Sequence, residues 1–280
     1  MEKTGTRLGR NIPPVRRLAD AAMDKAWAIE ETRPDDRKAL FEAYLAAARL
    51  GKMEAMTNVG LHFLYGDGVR RDPKRSRMWT EKAAGLGDDV AAFNLGLAYD
   101  NGRGARKNKG LAEVWYRRAA AMGFAIAEGN LAYLLFESTE PHRQQEAVRL
   151  YRKHARQGHP IPAYNVGLAY ELGKGVRKNL KRANAYYESS AKGGYAEAQL
   201  ALGYNYSNGV GLVPDAMRAF GWFRLAAKQG HASASFNLGL MFANGEGVPK
   251  SKARALRHFR DAADLGHAKA ARWLRKLEKA

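Results

Sequence analysis

The run FNLGLAYDNGRG at residues 93–104 returns almost unchanged as FNLGLMFANGEG at residues 236–247. A glycine-spaced loop followed by basic residues, here Arg106 and Lys107, can bind a nucleotide phosphate when it connects a strand to the start of a helix. No segment has the pattern of a strand, however, and loops of the same kind recur at 65–72, 172–179, 207–215 and 244–251. We therefore interpret the glycines as turns between helices and expect no nucleotide site at them.

The recurrence has a period of about 36 residues, in the range of helical repeat proteins. One column of the repeat is glycine: Gly60, Gly96, Gly167, Gly203 and Gly239, with Ala132 in the third unit. A bulky column follows it: Trp79, Trp115, Leu150, Tyr186, Trp222 and His258. Each unit closes on a further glycine: Gly87, Gly123, Gly158, Gly194, Gly230 and Gly266. The chain is therefore built from six similar units.

Each unit is predicted to contain two helices. Helix A, for example residues 90–100, ends at the Gly-x-Gly loop because glycine adopts the left-handed conformation that terminates a helix. Small residues on helix B, such as Ala119 and Ala120, let neighbouring helices approach closely, and the bulky column fills the gap beside them. Helix B begins at a residue whose side chain caps backbone N–H groups: Asp72, Asn108, Asn179, Asp215 and Ser251.

The run LGLAYDNGRGARKNKGLAEVWYRRAAAMG at residues 95–123 resembles the Sel-one-like repeat (SLR), a relative of the tetratricopeptide repeat. The resemblance covers residues 51–267 in six units. It implies an all-α fold, a right-handed superhelical α-solenoid of stacked helix-turn-helix repeats of about 36 residues. It also implies a non-enzymatic adaptor, since proteins of this family mostly bind other proteins and their partners differ from case to case.

On this interpretation the chain divides into four segments. Residues 1–17 form a basic flexible N-terminal arm, and residues 18–50 form a degenerate capping helix pair without the glycine loop. Six Sel-one-like repeats occupy residues 51–267, and residues 268–280 form an amphipathic C-terminal capping helix. In the third repeat the sequence ESTEP at 137–141 replaces the Gly-x-Gly loop.

Composition limits the chemistry and the partners. The chain of 280 residues has no cysteine, which excludes disulfides, thiolate metal sites and cysteine nucleophiles. No apolar run approaches the ~18 residues of a membrane span, and the basic N-terminus lacks the apolar segment of a signal peptide, so we expect a cytoplasmic protein. The formal net charge of +19 favours an acidic partner.

A polar column precedes the Leu-Gly step of helix A, where packing does not demand polarity: Asn58, Asn94, Asn130, Asn165 and Asn237. By resemblance to the tetratricopeptide repeat, this face lines a concave groove, and an amide can both donate to and accept from a peptide backbone. We expect these asparagines to bind a partner segment together with Phe93, Leu97, Tyr164, Phe236 and Leu240, with Tyr133, Leu168 and Tyr204 on the same face. The alternative is that the asparagines bond across neighbouring A helices and the aromatic residues pack inside the stack.

The positive charge concentrates in the loops and in the first turns of the B helices. Positive side chains there oppose the helix macrodipole, so local stability does not explain them. We expect them to form a basic edge: Arg70, Arg71, Arg103, Arg106, Lys107, Lys174, Arg177, Lys178, Lys181 and Arg182. This edge favours acidic partners, and the alternative is that it serves solubility.

No catalytic motif accompanies these features. The chain lacks a Gly-x-Ser-x-Gly elbow and a His-Glu-x-x-His pair, and we expect no catalytic residue, cofactor or metal site. The leading hypothesis is an interaction protein that binds a partner protein or peptide in the groove. The alternatives are an immunity or inhibitor protein that sequesters a bacterial effector, and a protein that binds nucleic acid or an anionic surface through the basic edge.

Overall fold

The computed structural model describes residues 14–279, with side chains described for residues 15–275. The described residues form fifteen α-helices and no strand, so the predicted all-α fold is confirmed. The helices are α1 (Pro14–Thr32), α2 (Arg37–Arg49), α3 (Met53–Tyr65), α4 (Pro73–Gly85), α5 (Asp89–Asn101), α6 (Lys109–Ala121), α7 (Ala125–Phe136), α8 (Pro141–Arg156), α9 (Pro160–Leu172), α10 (Leu180–Lys192), α11 (Ala196–Asn208), α12 (Ala216–Lys228), α13 (Ala232–Asn244), α14 (Lys252–Asp264) and α15 (Ala270–Lys279).

Two compact units make up the chain, the first ending at Leu134 and the second beginning at Leu135. In the first unit, each helix from α1 to α6 packs mainly on its neighbours in sequence, and in the second unit the same holds from α8 to α15. Contact between sequence neighbours alone distinguishes a solenoid from a globular bundle, in which distant helices also meet. Each unit is therefore an α-solenoid of helical hairpins.

The hairpin loops are closed by left-handed glycines and capping side chains, as predicted. Gly102 ends α5 with a φ of +73°, and its N–H donates to the carbonyl oxygen of Ala98. The following helix, α6, starts where Asn108 Oδ1 accepts a hydrogen bond from the Leu111 N–H at 3.0 Å. The other loops have the same left-handed glycines and the predicted caps: Gly66 and Asp72, Gly173 and Asn179, Gly209 and Asp215, Gly245 and Ser251.

The second glycine of each loop fits against the preceding repeat. A Cβ atom on Gly104 would lie 2.3 Å from the carbonyl oxygen of Pro73, the first residue of α4. The same close approach joins Gly68 to Arg37, Gly175 to Gln144, Gly211 to Leu180 and Gly247 to Ala216. In the Gly-x-Gly spacing, the first glycine therefore ends a helix, and the second lets the loop pack on the helix one repeat earlier.

The bulky column of the B helices is not the buried one. Trp115 and Trp222 are partly exposed, whereas the residues that follow them, Tyr116 and Phe223, are almost completely buried. The buried rings pack on the glycine column of the A helices. The gap between the helices is therefore filled by the residue that follows the bulky column on helix B, and not by the bulky column itself as expected.

The start of α1 differs from the predicted boundary, and the loop of the third repeat differs from those of the other repeats. Helix α1 begins at Pro14, so the last four residues of the predicted arm are helical, and residues 1–13 lie outside the described residues. Helices α1 and α2 pack on each other. In the third repeat, α7 ends at Phe136 and α8 begins at Pro141, and no left-handed glycine lies between them.

Candidate functional site

The A helices of the second unit line an open cleft of about 300 Å³. Side chains three and four positions apart share one face of a helix, so each A helix contributes one stripe to it. The sequence-predicted groove residues Tyr164, Leu168, Tyr204 and Asn237 are brought together here. The remaining lining residues are Glu171, Tyr187, Glu197, Leu200, Ala201, Asn205 and Ser233.

Most side-chain amides of the asparagine column make no hydrogen bond within the described part of the chain. Asn58, Asn94, Asn165 and Asn237 are half-buried, and their side chains make no hydrogen bond to any described residue. These four asparagines therefore form no bonds between neighbouring A helices. Each amide keeps both donor and acceptor capacity available at the helix surface.

Asn130 differs because it lies beside the buried hydroxyl of Tyr116. Burial raises the pKa of Tyr116, the carboxylate of Asp100 raises it further, and Asn130 lowers it. The Tyr116 hydroxyl has no hydrogen bond of normal geometry among the described residues. Asn130 thus has a polar neighbour inside the protein, unlike the other four asparagines.

The aromatic residue that precedes each asparagine packs between two other rings. The Phe236 ring centroid lies 4.2 Å from that of His267 and 5.4 Å from that of Phe259. Phe236 is only 9% exposed, so we correct its assignment from the groove to the core. Phe93 is packed in the same way between Tyr116 and Phe124, and Tyr164 between Tyr187 and Tyr195. Tyr164 still borders the cleft.

Two of the predicted groove residues in the first unit border a smaller cavity. Asn94 and Leu97 of α5 border a cavity of about 60 Å³, which Arg103 of the predicted basic edge also lines. A cavity of this volume has room for a few water molecules and is too small to enclose a peptide segment. The remaining predicted groove residue, Leu240, packs on the core of the last repeat in the second unit.

Two carboxylates give the cleft of the second unit a negative character. The Tyr187 hydroxyl donates to Glu171, and His231 Nε2 lies 3.1 Å from an oxygen of Glu197. Burial, followed by the bond to Glu171, raises the pKa of Tyr187, so this hydroxyl remains a donor well above neutral pH. Among the described residues that line the cleft there is no lysine or arginine. The local charge favours a neutral or basic ligand segment.

The basic residues predicted for the first unit lie on its surface. Arg70, Arg71, Arg103, Arg106 and Lys107 are all exposed. Arg71 Nε also donates to the carbonyl oxygen of Leu64 at 3.0 Å, close to the C-terminal end of α3. A cation in that place is favoured by the helix dipole, so Arg71 has a local structural role as well.

An arginine in the first turn of several B helices stacks on an aromatic residue of the preceding A helix. The guanidinium carbon of Arg182 lies 5.7 Å from the ring centroid of Tyr170. A cation over an aromatic ring contributes ~0.5–1 kcal/mol at an exposed site and ~2 kcal/mol when the contact is desolvated. The expectation that local stability does not explain these cations is therefore wrong at this position. The same contact joins Arg75 to Phe63, Arg218 to Tyr206 and Arg254 to Phe242.

In the second unit, part of the basic edge converges on an open pocket of about 520 Å³. Arg177, Lys178 and Arg182 line it, whereas Lys174 lies over the Phe136 ring and Lys181 is exposed outside it. The other lining residues are Arg152, Tyr170, Val176 and Asn179. Four cationic side chains therefore share one depression.

Arg152 is the member of this pocket that the sequence analysis missed. It follows the buried Tyr151 on α8 and so lies on the B helix of the third repeat, away from the loops where the basic residues were sought. A comparison of the repeats at this position could have found it. This position is occupied by arginine in four repeats and by glutamate in the other two: Arg117, Arg152, Arg224 and Arg260, and Glu81 and Glu188.

Neither a membrane span nor a metal site is present in the described residues. No helix within residues 14–279 is long and apolar enough to cross a lipid bilayer. The described part of the chain also contains no group of three or more histidine, aspartate or glutamate side chains placed to hold a metal ion. The cleft along α9, α11 and α13 and the pocket around Tyr170 are therefore the two candidate sites of the second unit.

Solved structures of helical repeat proteins are similar to this chain. A Sel1 repeat protein from Oxalobacter formigenes is 31% identical, with a TM-score of 0.67 over 86% of this chain and 98% of that one. The protein c5321 of uropathogenic Escherichia coli, a protective antigen displaying an SLR fold, is 27% identical with a TM-score of 0.77. That alignment covers 92% of this chain, which spans only 56% of the length of c5321.

A weaker similarity concerns immunity protein PA5088 from Pseudomonas aeruginosa. It is 19% identical with a TM-score of 0.42, over 78% of this chain and 83% of that one, and a likeness at this level carries no argument about function. A comparison with curated proteins gave no match. The Sel1 repeat family matches at residues 54–88, 89–124, 125–159, 163–195, 196–231 and 232–267, which are the six units defined by the sequence periodicity. The chain belongs to the Sel1 repeat family.

Proposed function

We propose that this protein is a non-enzymatic interaction scaffold whose second unit binds an extended segment of a partner protein in the cleft along α9, α11 and α13. The observation that carries the proposal is the combination of an exposed ring and an available amide in one cleft. Tyr204 is 56% exposed there, and the Asn237 amide, which also lines the cleft, makes no hydrogen bond to any residue that the structure describes. An extended peptide needs both apolar contacts for its side chains and hydrogen bonds for its backbone.

Packing gives no reason for polarity in the asparagine column. Ala201 occupies the equivalent position on α11, so a small apolar side chain fits the same place. A half-buried amide without a partner loses part of its hydration and gains no hydrogen bond on folding. A ligand in the cleft that bonds to Asn237 would supply the missing partner.

The charge of the cleft refines the kind of segment that fits. Because Glu171 and Glu197 line the cleft, its occupant is a neutral or basic segment with apolar side chains. The acidic groups expected from the net charge of the chain would contact the basic residues outside the cleft. A partner that carries an acidic surface beside a neutral or basic segment would contact both the cleft and the basic residues outside it.

Two alternative functions would use the basic edge in place of the cleft. One is sequestration of an acidic effector by an immunity protein, and the other is binding of nucleic acid or an anionic surface. Neither needs the asparagine column. Variants of the cleft therefore distinguish the scaffold from both alternatives.

Selection of displayed peptides on the full chain tests the proposal. Random peptides of about 12 residues are long enough to cross the cleft at ~3.3 Å per residue. We expect the selected peptides to bind the variant Tyr204→Ala/Asn237→Ala at least about tenfold more weakly than the wild type, because a side-chain contact and a backbone hydrogen bond are removed. The circular dichroism and unfolding temperature of the variant should not change.

The variant Gln157→Ala/Met217→Ala is the control. Gln157, at the end of α8, and Met217, on α12, are exposed in the same unit and do not line the cleft. The selected peptides should bind this control as they bind the wild type. Equal affinity for the wild type and the cleft variant would contradict the proposal. A lowered unfolding temperature of the cleft variant would instead show that its residues stabilise the stack.

A further inference from the structure

We infer that the pocket formed by Arg152, Tyr170, Arg177, Lys178 and Arg182 binds the phosphate group of a ligand. Arg152 comes from α8 and Tyr170 from α9, and the other three come from the loop before α10 and its first turn. The pocket shares no lining residue with the cleft. The inference therefore does not depend on the proposed peptide binding.

Two guanidinium groups meet on one hydroxyl in this pocket. Arg152 Nη2 donates to the Tyr170 hydroxyl oxygen at 2.5 Å, and Arg182 Nη1 donates to the same oxygen at 3.3 Å. Both guanidinium carbons also lie over the Tyr170 ring, at 5.4 and 5.7 Å from its centroid. Tyr170 is buried and stacked on Tyr186, so it holds the two arginines in fixed positions.

No carboxylate neutralises the four cations. Within residues 14–279, none of Arg152, Arg177, Lys178 and Arg182 forms an ion pair, and no acidic side chain lines the pocket. Like charges that are held close together repel each other, more strongly where protein replaces water. A bound oxyanion would offset this repulsion. Arg152 and Arg182 each retain N–H donors beyond the one given to Tyr170.

The next repeat shows that packing does not require four cations here. Tyr206 of α11 corresponds to Tyr170, and Arg218 stacks on it and donates to its hydroxyl at 3.3 Å. The backbone arrangement and the arginine–tyrosine contact are therefore kept from one repeat to the next. The other positions hold Glu188, Val213 and Pro214 where the pocket has Arg152, Arg177 and Lys178.

The charges around Tyr206 are balanced, in contrast to those around Tyr170. Arg218 Nε lies 3.3 Å from a carboxylate oxygen of Asp215. The pKa of Arg218 is raised by Tyr206, by Asp215 and also by Glu188, which shows that both carboxylates are near it. The same place in the fold thus has one cation with two carboxylates in one repeat and four cations in the other.

A phosphate group fits this pocket better than a single carboxylate. A phosphate monoester carries up to two negative charges and three acceptor oxygens, which match several cationic donors at once. The first turn of α10 is already capped, since Asn179 Oδ1 accepts from the Arg182 N–H at 2.9 Å. The side chains, and not the helix terminus, would therefore bind the phosphate. The pocket volume leaves room for the group that carries it.

Calorimetric titration of the full chain tests the inference in a phosphate-free buffer of low ionic strength. The probes are inorganic phosphate, N-acetyl-O-phosphoserine methylamide and N-acetylglutamate methylamide. We expect both phosphate probes to bind at one site and the glutamate probe to bind at least about tenfold more weakly. Tighter binding of the phosphoserine probe would identify a phosphorylated protein segment as the source, and tighter binding of inorganic phosphate a free phosphate ion.

Two variants that each remove one positive charge separate a specific site from diffuse attraction. Arg152→Gln should weaken phosphate binding at least about tenfold, whereas Arg218→Gln should leave it unchanged. Lys178→Gln, on the exposed loop, provides a second test if Arg152→Gln alters folding. Phosphate should also raise the unfolding temperature of the wild type and of Arg218→Gln, but much less that of Arg152→Gln. Three results would overturn the inference. They are an equal loss of phosphate affinity in the Arg152 and Arg218 variants, an affinity for the glutamate probe equal to that for the phosphate probes, and no binding of either phosphate probe.

Discussion

The ring of Tyr116 in α6 lies directly against Gly96 in α5, where a Cβ atom would stand 2.4 Å from Cδ1 of the ring. Glycine in a helix interior costs ~0.5–1 kcal/mol relative to alanine, so its presence there needs a reason. The reason is that no larger residue leaves room for the buried ring of helix B. The same relationship joins Gly167 to Tyr187, Gly203 to Phe223 and Gly239 to Phe259.

Replacing a glycine of this column should destabilise the protein. In Gly203→Ala the added methyl group overlaps the Phe223 ring, and we expect the free energy of unfolding to fall by ~1–3 kcal/mol, as in other overpacked cores. Gly221→Ala in α12 is the control, because no atom lies within 4 Å of its added Cβ. Its free energy of unfolding should rise by ~0.5–1 kcal/mol through helix propensity. Urea denaturation measures both, and a stabilised Gly203→Ala would show that the ring contact is not tight.

The second loop glycine should be more sensitive to substitution than the glycine between repeats. Gly104 and Gly123 both have positive φ, +72° and +95°, but only Gly104 has a neighbour, the Pro73 carbonyl oxygen, close to its Cβ position. Gly123→Ala should therefore cost only the ~1–2 kcal/mol of left-handed backbone strain. Gly104→Ala adds a backbone clash and should cost more. Equal urea midpoints for the two variants would contradict the close approach.

Asp88 should contribute to the stability of the first unit through two hydrogen bonds. Its Oδ1 accepts from the Ala91 N–H at 2.7 Å and caps α5, and its Oδ2 accepts from the Thr57 hydroxyl at 2.9 Å. Asp88→Ala removes the cap and leaves the buried Thr57 hydroxyl without this partner, so we expect a loss of ~2–3 kcal/mol in the free energy of unfolding. Thr57→Val retains the cap and should cost less. A larger loss for Thr57→Val would show that the cap is not the main contribution.

Mild acid should destabilise the last repeat. Burial lowers the pKa of His267 from its ordinary value of 6.5, and Lys269 lowers it further, while burial lowers the pKa of His258 against the opposing effect of Asp261. Below about pH 6.5 the unfolded chain therefore binds more protons than the folded one, so the free energy of unfolding falls as the pH decreases and is fully retained above that pH.

Replacement by residues from equivalent positions checks this pH dependence. Tyr195 corresponds to His267 and Trp222 to His258, so His267→Tyr and His258→Trp should be accommodated in the stack. We expect the double variant to lose less stability than the wild type between about pH 7.5 and about pH 5.5, because these two histidines no longer take up protons on unfolding. Urea midpoints at the two pH values give the comparison. An unchanged difference would assign the acid sensitivity to other groups.

The neighbours Phe236 and Asn237 show how far sequence reasoning reaches. Both precede the Leu-Gly step, and the pattern places both on the groove face of helix A. Phe236 is instead buried between Phe259 and His267, which come from the following helix and turn. Asn237 remains at the cleft. The repeat pattern identifies the column of a residue, but its burial depends on rings that are 23 and 31 positions further along the chain.

The sequence by itself determined the six repeats, the hairpin turns and the helix caps. These features depend on contacts within a few residues, such as the left-handed Gly102 and the capping Asn108, and local chemistry at a fixed period identifies them. Only the tertiary structure decided which ring is buried and which cations meet. Arg152 and Arg182 are 30 positions apart and converge on Tyr170 because α8, α9 and α10 pack together in sequence order. Such convergence is a property of stacked helices, and no local pattern in one repeat contains it.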